Sequence, residues 1–196
     1  AAQMPNLKIL QMLNAGYDDA LAYLRPGLTL CNARGVHDAS TAELAVGLAI
    51  SSRRGFPEFM REQIAGNWSH HRTAALSDSK IGIIGFGSIG KKIAQNLSGF
   101  EVSITAFTQS GRDGSLTIDQ LDSHLPQLDI VILILPLSDS SRHLFNAQRL
   151  AAMKDGALLI NVARGPVVDT NALVSELNSG RIYAALDVTD HEPLPA

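Results

Sequence analysis

The strongest constraint in this sequence is a short apolar run that leads into three closely spaced glycines. Residues 81–84 have the composition of a buried strand, and Gly85-x-Gly87-x-x-Gly90 follows directly. Residues 91–97 then have the pattern of a helix. Strand, glycine turn and helix in this order are typical of a dinucleotide-binding site, where the pyrophosphate lies against the helix N-terminus.

Each glycine of the motif has a predicted task. Gly85 permits the tight turn, Gly87 lets the backbone approach the pyrophosphate, and Gly90 lets the helix pack closely on the strand. The free backbone N–H groups at the helix start, on Ser88 and Ile89, are predicted to contact the phosphates.

The same residues allow two other interpretations. Gly85-x-x-x-x-Gly90-Lys91 is most of a P-loop, but the next residue is Lys92, so the hydroxyl that binds Mg²⁺ is missing. A nucleophile elbow around Ser88 would need glycine where Phe86 stands. A P-loop-like nucleotide binder therefore stays as a weaker alternative, beside a glycine turn that binds nothing.

Composition narrows the class of protein. The chain has 196 residues and a net charge of −3, which predicts no nucleic-acid partner, and it has no apolar run near the roughly 18 residues of a membrane span. The single cysteine, Cys31, favours a cytoplasmic protein. The first residues lack a signal peptide and an initial Met, so we expect a fragment or a processed product. No histidine pair has metal-ligand spacing, so no metal site is predicted.

After the glycine motif, predicted strands alternate with helices. The strands cover residues 102–107, 129–135, 157–161 and 182–187. Polar residues that can cap the helices are Thr117, Asn146 and Asp169. This alternation predicts an α/β fold with a doubly wound parallel sheet, the Rossmann arrangement, which binds ligands at the carboxyl ends of its strands. The residues at those ends are Gly85, Thr108, Pro136, Asn161 and Asp187.

The part before the glycine motif is predicted to hold two short strands, at residues 7–13 and 28–31, and two helices. Ser40 and Glu43 fit a capping box at the start of the first helix. Residues 44–50 of that helix are apolar nearly all round, which predicts burial between domains or subunits.

Four further segments resemble the D-isomer-specific 2-hydroxyacid dehydrogenase family. Residues 160–169 (INVARGPVVD) look like its arginine motif, and residues 185–194 (ALDVTDHEPL) look like its glutamate motif. Asn32-Ala33-Arg34-Gly35 resembles the approach to its long inter-domain helix, and residues 14–18 (NAGYD) resemble its substrate-carboxylate loop. The resemblance covers essentially the whole chain.

The resemblance implies a fold, an activity and an assembly. Residues 1–35 would be part of a smaller substrate-binding domain, residues 36–76 the inter-domain helices and crossover, and residues 77–196 the dinucleotide-binding domain. The reaction would be hydride transfer between NAD(P)H and a small 2-keto or 2-hydroxy acid, such as glyoxylate or hydroxypyruvate. The assembly would be a homodimer.

The resemblance also assigns roles to residues. Arg164 would fork onto the substrate carboxylate, completed by backbone N–H groups near Ala15 and Gly16. Glu192 would orient the family's catalytic histidine, and Asp187 would accept a hydrogen bond from the nicotinamide carboxamide. Pro136 would contact the cofactor from the neighbouring strand end.

The sequence departs from the family at the catalytic histidine. In the family this residue follows the glutamate motif, and none of the six histidines here lies in that context. We therefore expect the chain to be an internal fragment, without the family's N-terminal strands, that turns over poorly by itself.

The position that would choose the cofactor holds Thr108. NAD-specific sites carry Asp or Glu there, about 20 residues after the glycines. Thr108 does not repel a 2′-phosphate, and Ser110 and Arg112 can hold one, which predicts NADP as the preferred cofactor with NAD possible. The alternative is a plain polar turn with Arg112 in solvent. A non-catalytic NAD(H)-sensing corepressor of the same fold also remains an alternative.

Overall fold

The computed structural model describes residues 4–194, which form two parallel sheets. The small sheet contains β1 (Ile9–Gln11) and β2 (Thr29–Cys31), joined through a 3-10 helix at Asp18–Tyr23. The large sheet contains six strands: β3 (Lys80–Ile84), β4 (Ser103–Thr108), β5 (Leu116–Thr117), β6 (Ile130–Leu133), β7 (Leu158–Asn161) and β8 (Tyr183–Leu186).

The strand order of the large sheet is β5-β4-β3-β6-β7-β8, and all neighbours are parallel. The chain runs outward from β3 to β5 and then returns to the other side of β3. The strand order reverses there, and a ligand crevice opens outside the carboxyl ends of strands at such a point. The predicted doubly wound sheet is confirmed.

Within residues 4–194, six α-helices connect and cover these strands: α1 (Asp38–Arg53), α2 (Phe56–Ile64), α3 (Ser88–Leu97), α4 (Leu121–His124), α5 (Ala147–Ala152) and α6 (Thr170–Asn178). Short 3-10 helices lie at Ile118–Gln120, Leu125–Gln127 and Gly165–Val167. The predicted caps at Thr117, Asn146 and Asp169 are confirmed. Asn146 accepts the Arg149 N–H at 3.0 Å, Asp169 accepts the Ala172 N–H at 3.1 Å, and Thr117 forms a capping box with Gln120.

Apolar clusters cover both faces of the large sheet. Alternate residues of β3 point to opposite faces, so Ile81 and Ile83 pack with α1 and α3, whereas Ile84 packs on the side of α5 and α6. Strands buried on both faces explain the uninterrupted apolar runs in the sequence. The core therefore holds the carboxyl ends of the central strands in a fixed arrangement.

The start of α1 corrects one prediction. The helix begins at Asp38, before the predicted cap, and the Ser40 hydroxyl instead donates to the His37 carbonyl at 3.2 Å. The capping box was wrong because an earlier acidic residue already suits the positive end of the helix. Residues 44–50 are partly covered within the chain, since Ala45, Val46 and Ala49 are buried whereas Leu44 is 39% exposed. Their burial between domains or subunits stays a prediction.

Candidate functional site

A cavity of about 580 Å³ lies between the carboxyl ends of the large sheet and the loop that follows β1. This volume suits a small-molecule or cofactor site. Many of the predicted site residues line it: Ala15, Gly16, Gly87, Ser88, Ile89, Gly90, Pro136, Arg164 and Asp187. The fold thus brings together residues from distant parts of the sequence.

The glycine turn forms one wall of this cavity. Gly85 has φ +103°, a conformation that favours glycine, and its N–H donates to the Phe107 carbonyl at 2.8 Å. A Cβ at Gly90 would collide with the Gly85 carbonyl oxygen. Gly85 shapes the turn rather than lining the cavity. Helix and strand therefore approach as the motif predicts.

The space above the turn fits a dinucleotide phosphate. Gly87 is the N-cap of α3, and a Cβ placed there would meet no protein atom within 4 Å. The first N–H groups of a helix have no intrahelical acceptor, and Ser88 and Ile89 carry such groups at the cavity wall. The first turn of α3 also carries no acidic side chain that would repel an anion.

Arg164 enters the cavity from the loop after β7. Buried Asn161 shapes this loop, because its Nδ2 donates to the Arg164 carbonyl at 2.9 Å and its Oδ1 accepts the Ala163 N–H at 3.0 Å. The Arg164 side chain is 33% exposed, and its Nε donates to the carboxylate of Asp18 at 3.3 Å. The guanidinium is thus held by the chain while remaining accessible.

The loop around Gly16 meets this guanidinium. A Cβ at Gly16 would overlap Nη2 of Arg164, so only glycine permits this approach. Asn32 steadies the loop by donating to the Ala15 carbonyl at 2.8 Å, and Nε2 of His37 lies 3.0 Å from the Leu13 carbonyl oxygen. The backbone of the proposed carboxylate loop and the proposed carboxylate cation are therefore neighbours.

The glutamate motif packs against the arginine motif. A Cβ at Gly165 would collide with the Thr189 backbone, and the Thr189 N–H donates to Oε1 of Glu192 at 3.1 Å. Glu192 is exposed and lies outside the cavity lining. Asp187 lines the cavity, and its N–H donates to the Asn161 carbonyl at 3.0 Å.

The loop after β4 lies outside the cavity lining. Thr108 Oγ1 is 2.8 Å from Ser115 Oγ, which donates to the Arg112 carbonyl at 2.6 Å. These bonds fold the loop back on the strand end, while the side chains of Ser110 and Arg112 are exposed. The loop is thus fixed at its base and open at its tip.

An ion pair at this loop was not predicted from the sequence. The Lys91 ammonium donates to Asp113 at 2.8 Å and holds the pKa of that carboxyl below its ordinary value. The signals in the sequence were a carboxylate five positions after Thr108 and a lysine in the first turn of the helix that follows the glycines. Asn32, His37 and Asp18 were also missed as contacts of the site.

Two negative observations apply to residues 4–194. Within this range, His, Cys, Asp and Glu side chains form no group of three or more that could hold a metal ion. The helices in the same range are all too short or too polar to cross a membrane.

Known proteins show which family has this arrangement. The sequence profile described as D-isomer specific 2-hydroxyacid dehydrogenase, NAD binding domain, matches residues 46–196. A hydroxypyruvate reductase of Thermotoga maritima is 34% identical over 195 residues, which cover 96% of this chain and 64% of that protein.

Solved structures agree in fold. An NADPH-dependent glyoxylate/hydroxypyruvate reductase of Sinorhizobium meliloti, in complex with NADP and malonate, has a TM-score of 0.87 at 31% identity, over 98% of this chain and 63% of that one. A D-lactate dehydrogenase of Aquifex aeolicus, complexed with NAD and lactic acid, has a TM-score of 0.88 at 27% identity, over 97% and 60%.

The chain spans less than two thirds of the length of these relatives. The match to the NAD-binding domain nevertheless covers most of the chain, including the glycine turn, Arg164 and Asp187. This chain belongs to the D-isomer specific 2-hydroxyacid dehydrogenase family.

Proposed function

We propose that this chain is the cofactor-binding part of an enzyme that reduces a small 2-keto acid to a 2-hydroxy acid with NADPH. One observation carries the proposal. The glycine turn, the Gly16 backbone and the Arg164 guanidinium line a single cavity of about 580 Å³. Phosphate donors and a carboxylate-binding fork in one cavity are what a nicotinamide-dependent keto acid reductase needs.

The chemistry follows from the groups around the cavity. When bound, the nicotinamide supplies the hydride that the keto carbon accepts. Arg164 binds the substrate carboxylate and polarises the adjacent carbonyl, with backbone N–H groups of Ala15 and Gly16 completing the clamp. Asp187 accepts the carboxamide N–H and so orients the reacting face.

The carbonyl oxygen also needs a proton. In this proposal Glu192 orients the family's histidine, which is contributed by a part of the enzyme outside this chain. The Thr189 N–H fixes one oxygen of the Glu192 carboxylate at 3.1 Å, which supports a holding role. A carboxylate beside an imidazole favours its charged form, the form that gives up the proton.

Glyoxylate and hydroxypyruvate are the proposed substrate class. The names of relatives from Thermotoga maritima and Sinorhizobium meliloti support this class. The preference for NADP is proposed from Thr108, Ser110 and Arg112, since a threonine hydroxyl at the strand end leaves room for a 2′-phosphate. Relatives bind NADP or NAD, so NAD remains a possible cofactor.

The proposed organisation keeps three parts: residues 1–35 as part of the substrate domain, residues 36–76 as connecting helices, and residues 77–196 as the dinucleotide domain. Two separate sheets support this division. Lone Cys31, which is free, supports a cytoplasmic location.

A homodimer is proposed through residues 44–50 of α1 and the neighbouring helix α2. One face of α1 is covered within the chain while Leu44 stays 39% exposed, and α2 has no buried residue. Exposed apolar residues recur every fourth position along it and beyond, at Phe56, Met60, Ile64 and Trp68. Such a stripe suits an isologous contact between two copies.

The test is turnover by the full-length protein. NADPH oxidation is followed at 340 nm with glyoxylate and with hydroxypyruvate, and the hydroxy acid product is identified by chiral chromatography. We expect reduction of at least one of the two acids: glyoxylate to glycolate, or hydroxypyruvate to the D-isomer of its hydroxy acid. NADPH binding without turnover of either acid would contradict the proposal and favour a corepressor-like sensor.

A further inference from the structure

The hydrogen bonds of Arg164 leave a defined part of its guanidinium available. Nε donates to both carboxylate oxygens of Asp18, each at 3.3 Å, and Nη2 lies 3.3 Å from Oδ1 of the same residue. Nη1 donates to the Ala163 carbonyl at 2.8 Å. A guanidinium has five N–H protons. These contacts use at most one proton on each terminal nitrogen, so Nη1 and Nη2 each keep at least one proton for a ligand. The side of the guanidinium between Nη1 and Nη2 is its end edge.

The end edge of the guanidinium, between Nη1 and Nη2, has the two donors that a carboxylate needs. Two parallel N–H groups on one guanidinium edge can bind both oxygens of a carboxylate. Arg164 lines the cavity, and the Gly16 backbone packs directly against Nη2. A ligand carboxylate at this edge would meet the guanidinium and the loop backbone together.

We propose that Asp18 is a positioning residue that holds the side edge of Arg164, so that the end edge faces the carboxylate of the keto acid. The inference rests on the proposed function. Asp18 and Arg164 lie 146 residues apart in the sequence, so their ion pair also fixes the loop of residues 14–18 against the cavity. The Asp18 side chain is only 20% exposed, which restricts its motion. Without it the guanidinium rotates among several orientations, and the ligand must select one.

The test uses the full-length protein saturated with NADPH. Oxalate, a planar dicarboxylate, is titrated by calorimetry, and kcat and KM are measured with glyoxylate. For Asp18→Asn we expect the oxalate Kd and the glyoxylate KM to rise about tenfold or more, because a misplaced binding group costs up to about 100-fold. The NADPH Kd and the Tm stay near the wild-type values. Asp19→Asn removes the same charge from the adjacent, exposed residue and leaves oxalate binding unchanged.

Two more variants separate positioning from a general structural role. Asp18→Glu keeps the charge and recovers at least half of the lost free energy of oxalate binding. Asp18→Asn combined with Arg164→Lys binds oxalate no more weakly than Arg164→Lys alone, because Asp18 acts through the guanidinium.

Each contrary result has a distinct meaning. If Asp18→Asn binds oxalate as tightly as wild type or more tightly, the inference is overturned and the proposed function is not. Asp18 would then have no effect on the ligand or would compete with it for Arg164. Equal losses in the Asn and Glu variants overturn it too. No oxalate binding by the wild-type NADPH complex would contradict the proposed function itself, and the inference would fall with it.

Discussion

Replacing Arg112 by alanine is expected to weaken NADPH binding while leaving NADH binding nearly unchanged. The loop that carries Arg112 is anchored at its base, because Ser115 Oγ contacts both Thr108 Oγ1 at 2.8 Å and the Arg112 carbonyl at 2.6 Å. The side chain itself is exposed, so alanine removes a charge without disturbing packing. The two cofactors differ only by the 2′-phosphate, so their comparison isolates the contact of interest.

The expected magnitude follows from the exposure of the arginine. A hydrogen bond to a charged group contributes about 1.5–3 kcal/mol, and solvent screening reduces the value at an exposed site. We therefore expect a value just below this range, about 1.4 kcal/mol, which corresponds to a tenfold rise in Kd. Thr108→Asp is the converse change, because a carboxylate at the strand end accepts the ribose 2′-OH and repels the phosphate.

The assay measures dissociation constants for NADPH and NADH by nicotinamide fluorescence in the wild type and both variants. Arg72→Ala, an exposed arginine before β3, is the charge-matched control and should leave both constants unchanged. Equal affinities of the wild type for the two cofactors would show that the loop after β4 does not bind the 2′-phosphate. An Arg112→Ala variant that weakens both cofactors equally would do the same.

Three further predictions concern the fold and the assembly. Gly90→Ala places a Cβ against the Gly85 carbonyl and should lower the free energy of unfolding, measured by thermal unfolding, by about 2 kcal/mol. Gly47→Ala is the control, because a Cβ there has open space and should not destabilise the protein. Equal Tm values for the two variants would contradict the packing argument. Burial raises the pKa of Asp129, but hydrogen bonds from Lys154 and the Lys80 N–H outweigh it and hold the pKa below its ordinary value. A lowered pKa stabilises the fold above the unfolded value of about 3.9, and this effect is lost as the pH falls through the folded pKa. Asp129→Asn should therefore destabilise the protein at pH 7, and its difference in stability from wild type should disappear below about pH 4. A pH-independent difference between the urea midpoints of the two proteins would argue against this prediction. Ile64→Asp on the exposed face of α2 should convert a dimer to monomer in sedimentation, and an unchanged dimer would place the interface elsewhere.

Local patterns predicted most of the fold correctly. The Asn146 and Asp169 caps depend on bonds to residues three positions away, so the sequence contains the whole interaction. The glycine turn is similar, since Gly85 and Gly90 contact each other. Strand β5 was not predicted, because its two residues are defined by pairing with Phe107 and Thr108 rather than by a pattern of their own.

The candidate site was only partly predictable. The roles of Arg164 and Gly16 came from resemblance, and the structure adds that they touch. The pairs Asp18–Arg164 and Lys91–Asp113 join residues that are 146 and 22 positions apart. Short periodicities carry no information about such pairs, because folding of the whole chain decides which side chains meet. The predicted start of α1 was wrong for another reason. Asp38 and Ser40 both have side chains that suit a helix start, and they lie only two positions apart.

Binding of the keto acid carboxylate by Arg164 is tested best by kcat/KM for glyoxylate in full-length Arg164→Ala. We expect a loss of at least 100-fold with an almost unchanged NADPH Kd, and an intermediate loss for Arg164→Lys, because a point charge cannot replace the fork. Arg72→Ala, at an exposed arginine outside the cavity lining, should stay within threefold of wild type. A kcat/KM within twofold of wild type for Arg164→Ala would show that Arg164 does not bind the carboxylate.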